Sequence, residues 1–292
     1  MASRGPDEAI DYRASIPFLA IHAACSLAIW TGVSRAALIV CLALYAIRMF
    51  GITAGYHRYF SHRSYKTSRV FQFVLAWLGG MSAQKGALWW AAHHRRHHAS
   101  SDTKEDIHSP MRRGFWWSHV GWFLCSKYND ADPRLIRDLV RFRELLFLNR
   151  FHALPPAALA VSVLLLGTLL HIFAPGLHTG PAQMLVWGFF VSTVLVYHGT
   201  FLVNSLAHVF GRRRFPTKDD SRNNFLIALI TFGEGWHNNH HYAPSSERQG
   251  LYWWEIDLSH CILQVLNWCG VVWDLQKPPP RVYDIRQGVV NE

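Results

Sequence analysis

AALIVCLALYAIRMFGITAG, residues 36–55, runs without a break into YHRYFSH at 56–62, and this stretch decides the fold. Its first twenty residues carry one charge, Arg48. That is the length an α-helix needs to cross a hydrocarbon core, about 20 residues. The same helix then delivers His57 and His62 just past the apolar run. A second run, 183–207 (QMLVWGFFVSTVLVYHGTFLVNSLA), leads in the same way to His208, four residues after Asn204. Two further apolar runs, 15–33 and 153–173, complete four predicted transmembrane helices. The link TGVSR between the first two is short, so they read as a tight helical hairpin.

Composition agrees with a membrane protein. Half of the 292 residues are hydrophobic and 16% are charged, against about 25% charged in soluble domains. The 13 tryptophans suit rings held at a membrane interface. A net charge of +10 fits a basic inner face. It is not accompanied by a nucleic-acid motif, so no nucleic-acid partner is expected. The five cysteines are scattered without CxxC spacing and read as small buried hydrophobes. The opening MASRGPDEAIDYRAS has three acids and no apolar stretch, unlike a cleavable signal.

Charge bias sets the expected orientation. Residues 55–115 hold ten Lys and Arg against three acids, whereas the link IFAPGLHTGPA holds neither Lys nor Arg. The positive-inside rule then places both termini and every histidine cluster in the cytoplasm. Arg48, inside the second run, is expected to snorkel toward that side. Residues 70–92 contain Gly79, Gly80, Gln84 and Lys85 and read as an interfacial or re-entrant helix, not a fifth span. The Trp-rich stretches 115–125 and 251–273 read as amphipathic segments along the membrane surface.

Two more clusters, HHRRHH at 93–98 and HNNHH at 237–241, join His57, His62 and His208. In an α-helix, residues at i, i+3 and i+4 share a face, so His94, His97 and His98 point together, as do His237, His240 and His241. Each triplet can serve two neighbouring metals. His57 and His62 are five apart, about 140° around an α-helix; either they serve two metals or the helix loosens between them. One structural zinc needs only about four ligands and has no redox chemistry, so nine imidazoles suggest two metals. Imidazole suits Zn, Cu, Fe and Ni; two irons held by nitrogen can activate oxygen, while haem suits histidines paired inside spans and these cluster at helix ends. The remaining loop histidines, among them His108, His119, His152 and His260, are expected to be solvated. Asp102, Asp106 and Glu234 can orient ligand imidazoles by accepting their second N–H.

GITAG-Y-HRYFSHRSYKT, HRRHH, NSLAHVFG and GEGWHNNHH, with SHVGW at 118–122 and SRNN at 221–224, resemble the membrane fatty-acyl desaturases of the stearoyl-CoA (delta-9) desaturase type. The resemblance covers residues 36–274. It implies an all-α integral membrane protein of one domain over 1–292: four transmembrane helices under a helical cytoplasmic cap, 56–152 and 208–274, that holds a di-iron site. One iron would take His57, His94, His97 and His240, with Asn204 reaching it through water. The other would take His62, His98, His208, His237 and His241. The implied reaction uses O2 and two electrons from a separate ferredoxin, rubredoxin or cytochrome-b-type carrier to place a cis double bond, at delta-9, in a saturated acyl chain. Acyl-CoA is the favoured carrier and a lipid-linked chain the alternative; a hydroxylase or a non-catalytic metal-binding membrane protein are the rival readings. Where members using acyl-CoA often carry Arg-Asp before the second box, this chain has Ala92 and His93. Gln84, Trp89 and Trp90 are expected along the acyl tunnel, Cys41 and Tyr45 at its floor, and Arg222 at a phosphate-bearing head group.

Overall fold

The structure, a computed structural model, describes residues 6–283. The expected placement of both chain ends therefore falls on residues outside those described. Helix α1, Tyr12–Thr31, starts where the Asp11 carboxylate accepts the Ala14 N–H at 3.0 Å and stops at Gly32, whose φ is +62°. Two residues later Ser34 caps α2, Arg35–Ser61, by accepting the Ala37 N–H. Such caps satisfy donors that a helix start leaves open. Only residues 32–34 separate α1 from α2, but each packs more on α7 than on the other, so the expected tight hairpin is not formed. Ser68 caps α3, Arg69–Gly80, and a turn leads to α4, Ala87–Ser100. Helix α5, Arg143–Arg150, precedes the third long apolar helix, α6, Leu154–Phe173; the fourth is α7, Pro181–His208. Three short helices follow: α8 at Phe225–Ile230, α9 at His237–Tyr242 and α10 at Leu258–Trp268.

Among the described residues α1, α2, α6 and α7 are long and apolar enough to cross a membrane. They match the four predicted runs, and the fold is helical apart from two-residue strands. Lys66–Thr67 pairs antiparallel with Val272–Trp273 and ties the chain after α2 to the chain after α10. The segment 70–92 is not a span. It breaks at 81–86, where Ala83 and Lys85 both take positive φ. Helices α3 and α4 wrap the end of α2. Gly51 permits the approach, since a Cβ there would lie 2.6 Å from the backbone of Leu78 and Gly79. Tyr56, Phe60, Leu75, Leu88 and Leu145 fill the space between them.

Two surface expectations are corrected. Residues 115–125 turn inward: Trp117 and Trp122 are buried, and Trp122 stacks on Trp89 with ring centroids 5.5 Å apart. In the 251–273 stretch Trp253, Trp254 and Trp268 are exposed beside α10. Arg48 does not snorkel. It is fully buried between α2 and α7 and donates to the Thr193 hydroxyl at 2.7 Å, to Ser192, and to the Leu44 carbonyl at 3.0 Å. A guanidinium that finds several neutral acceptors inside the bundle has no need to reach the interface.

Candidate metal centre and its cavity

The last eleven residues of α2, Gly51–Ser61, are wound as a π-helix. The His62 N–H bonds the His57 carbonyl at 3.2 Å, an i→i+5 contact. Residues five apart therefore stack, and the two rings lie 4.8 Å apart. The helix loosens, and both imidazoles serve one cluster.

Helix α4 contributes its i, i+4 pair, His94 and His98, to that cluster, and His240 of α9 completes it. The second cluster is His97, His208, His237 and His241. Each HxxHH triplet thus gives an i, i+4 pair to one cluster and its middle histidine to the other. This corrects the partition that the resemblance implied. His62 and His98 join His57, His94 and His240, while His97 joins His208. The two triplets meet from opposite sides, so each middle histidine reaches across to the other's pair.

Within each cluster the candidate ligand atoms lie within 4.8 Å of one another. The Nε2 atoms approach closely: His57 to His240 at 3.1 Å, His62 to His94 at 2.8 Å, His98 to His240 at 3.0 Å, and His208 to His237 at 2.9 Å. Two nitrogens at right angles about one ion, each bonded at about 2.1 Å, would lie about 3.0 Å apart. His241 Nε2 is buried with no hydrogen-bond partner, and a lone pair left unmatched inside a protein is what a metal would satisfy. Burial, with neighbouring imidazoles, holds His62, His94, His98, His237 and His240 well below the ordinary histidine range. Burial brings His241 to about 4. Neutral imidazole is the form that binds a metal. The residues present therefore fit two metal ions.

Carboxylates hold the opposite ring nitrogens. His208 Nδ1 bonds Asp102 at 2.8 Å, His241 Nδ1 bonds Asp219 at 2.8 Å, His97 Nδ1 bonds Asp106 at 3.1 Å, and His57 Nδ1 pairs with Glu234. Each such bond sets the tautomer and turns Nε2 inward. Burial would raise the Asp102 and Asp106 carboxyls, but His208 pulls the first to about 2 and His97 holds the second lower still. Asp102, Asp106 and Glu234 take the positions expected. Asp219 was missed; its only sequence signal was an acid pair after the basic run GRRRFPTK. Two histidines expected to be solvated are buried here instead: His108 stacks on His97 at 4.4 Å, and His119 bonds Ser205 at 2.9 Å.

Behind His57 sits a second buried layer. Arg58, 1% exposed, pairs with Asp257 at 2.9 Å, Glu234 at 3.2 Å and Glu247 at 3.6 Å. Replacing Arg58 by methionine strands three buried carboxylates. We expect a loss of roughly 3–5 kcal/mol, seen as a clear drop in the thermal unfolding midpoint of detergent-solubilised protein.

Beside the clusters lies an apolar cavity of about 390 Å³ lined by Gln84, Trp89, Trp90, His93, His94, Thr200 and Asn204 among others. A smaller one shares Trp90, His94, Thr200 and Asn204 and reaches Met49, His57 and His237. Gln84 donates to the Thr200 hydroxyl at 3.1 Å across the cavity wall. Gly86 starts α4 because Asn149 packs against it, where a Cβ would lie 2.6 Å away, and Asn149 accepts the Trp89 N–H. That contact aims Trp89, Trp90 and the following histidines at the site. His93 bonds the Trp89 carbonyl at 2.9 Å and belongs to neither cluster.

Three expected substrate residues are corrected. Cys41 and Tyr45 line neither cavity: Cys41 is buried, and the Tyr45 hydroxyl is held by the Ile230 carbonyl. Arg222 also lies off both cavities and donates to the Gly211 carbonyl at 3.3 Å.

Residues 34–264 match the family model described as Fatty acid desaturase. This chain belongs to the fatty acid desaturase family. Membership implies an oxidoreductase. Among curated relatives, the chain is 37% identical to an sn-1 stearoyl-lipid 9-desaturase of Anabaena variabilis, over 87% of this chain and 89% of that one. It is 36% identical to a hex-5-enoyl-[acyl-carrier protein] acetylenase of Moorena producens, over 93% and 87%. It is 37% identical to an acyl-CoA C20 Delta5-desaturase of Anemone leveillei, over 82% and 73%. The desaturases among these differ in the carrier and the position their names record.

Proposed function

We propose that this desaturase is an oxygen-dependent, di-iron fatty-acyl desaturase that places a cis double bond, at delta-9, in a saturated chain. The observation that carries this reading is the pair of histidine clusters opening onto an apolar cavity. When bound, two irons would supply the redox chemistry that couples O2 reduction to removal of two hydrogens from adjacent methylenes. The protein's own part is positioning. Nine imidazole nitrogens hold the metals, four carboxylates fix their rings, and Trp89, Trp90, Gln84 and Thr200 confine the chain in a dry channel. Two electrons per turnover come from a separate carrier of the ferredoxin, rubredoxin or cytochrome-b type. The protein sits in a membrane with the site on the cytoplasmic side, a reading supported by the four apolar helices and by the positive-inside bias of the basic segments. The chain arrives as acyl-CoA or attached to a lipid.

Expression in a host that lacks unsaturated fatty acids, followed by lipid analysis, tests this. The expected product has lost two hydrogens. A product that has gained one oxygen would make the enzyme a hydroxylase, and an unaltered lipid profile with zinc alone in the protein would support a structural metal site.

Chain length is expected to depend on Met49, which borders the smaller cavity beside His57. Met49→Ala removes a side chain that lines this cavity and should shift preference toward longer acyl chains in the product profile. An unchanged profile would rule Met49 out as the floor.

A further inference from the structure

The rim of the larger cavity lies on the flanks of two spans. Ala14 and Pro17 of α1, with His152, Ala153 and Ala157 at the start of α6, line the cavity and are exposed at the protein surface. A wall residue that is also exposed marks an opening. From Ala14 to Ile21 the lining follows α1 for seven residues, about 10 Å along the helix axis. That length is a third of the thickness of a hydrocarbon core of about 30 Å. The main packing partners of α1 are α7 and the 121–124 turn, and those of α6 are α7 and α3. The rim residues Ala14, Pro17, Ala153 and Ala157 are small, and they lie on or beside two helices long and apolar enough to cross a membrane.

One charge stands at this rim. Lys85 donates to the Asn129 side chain at 2.8 Å and lies over the Trp89 ring at 4.6 Å. Among the described residues no carboxylate stands within ion-pair distance of it, and burial draws its ammonium down to about 8. Its charge is felt at His152 across the opening. The turn that carries Lys85 holds it in a positive-φ conformation, a strain that persists only where the surroundings impose it. A lysine in this position is a point charge suited to phosphate.

We propose that the substrate is an acyl chain still attached to a membrane glycerophospholipid. The chain slides from the bilayer between α1 and α6 into the cavity, and its phosphate stays at the rim against Lys85 and His152. This rests on the desaturase reading and names its substrate class.

The test uses full-length, iron-loaded protein in liposomes with an electron-donor system. One arm carries stearoyl chains on phosphatidylcholine; the other carries stearoyl-CoA in liposomes of unsaturated lipid. Phosphatidylcholine chains should be desaturated at least tenfold faster than stearoyl-CoA. Desaturation of stearoyl-CoA with the phospholipid chains untouched overturns the lipid assignment and leaves the desaturase reading standing. Desaturation of neither overturns both. Two variants probe the path. Ala157→Trp fills the rim from an exposed helix face, so folding is preserved, and should cut phospholipid turnover at least tenfold. Lys85→Met should raise KM for phospholipid while leaving kcat near its original value. Unchanged phospholipid kinetics in both variants would overturn the lateral route.

Discussion

His98→Ala is expected to abolish desaturase activity and to lower the iron content of the purified protein. His98 sits where the two clusters meet. Its ring lies 4.6 Å from that of His62 and 4.5 Å from that of His241, and its Nε2 is 3.0 Å from that of His240. Alanine deletes one nitrogen of a five-histidine cluster and opens a gap toward the other. Residues one layer outside a metal already change affinity or activity by about 10–100-fold, so loss of a direct ligand should exceed that range. Metal analysis and product analysis read the two effects separately. A variant that keeps two irons per chain and normal activity would remove His98 from the site.

Asp106→Asn should produce the second largest effect, because its two oxygens leave no tolerable orientation for an amide. One oxygen accepts the His108 N–H at 3.1 Å, the other accepts the Asp102 N–H at 2.8 Å, and both face His97 Nδ1. Whichever way the amide is turned, its NH2 group meets a backbone N–H. The site is buried, so the displaced donor would cost about 1–3 kcal/mol. The lost charge also weakens the hold on the His97 ring. We expect a roughly 10–100-fold fall in iron affinity or activity, with the four spans intact by circular dichroism. Iron binding and turnover equal to those of the parent protein would show that His97 needs no partner.

The two variants probe what could and could not be read along the chain. Spans, histidine boxes and the carboxylates Asp102, Asp106 and Glu234 were legible because each is a local pattern: an apolar run, an i, i+3, i+4 triplet, an acid near a box. The division of histidines between clusters was not, because α4 and α9 face each other and the middle member of each triplet crosses over. The spacing of His57 and His62 left two outcomes open, and the π-helix chose one through a backbone bond that side-chain identity does not announce. Asp219 lies 22 positions before its partner His241, too far for a local rule.

Cys41, Tyr45, Arg222 and Arg48 show the same limit from the other side. Each had the right chemistry for its expected role, and each was claimed by a neighbour or a packing position distant in sequence. Trp117 and Trp122 read as interfacial anchors, yet other aromatic rings offered a better home than the membrane surface.

The order of residues alone determined that four helices can cross a bilayer, that three imidazoles stand at the ends of two of them, and that six more come in two HxxHH triplets. Hydropathy and helical periodicity act over one or two turns, so they need no knowledge of the rest of the chain. Which imidazoles share a metal, which acid steadies each ring, and where the cavity meets lipid were decided only by tertiary structure. Many of those outcomes depend on contacts between segments far apart in the chain, such as His208 with Asp102, 106 residues away. Only packing of the whole chain brings such partners within the 3 Å or so over which a hydrogen bond acts.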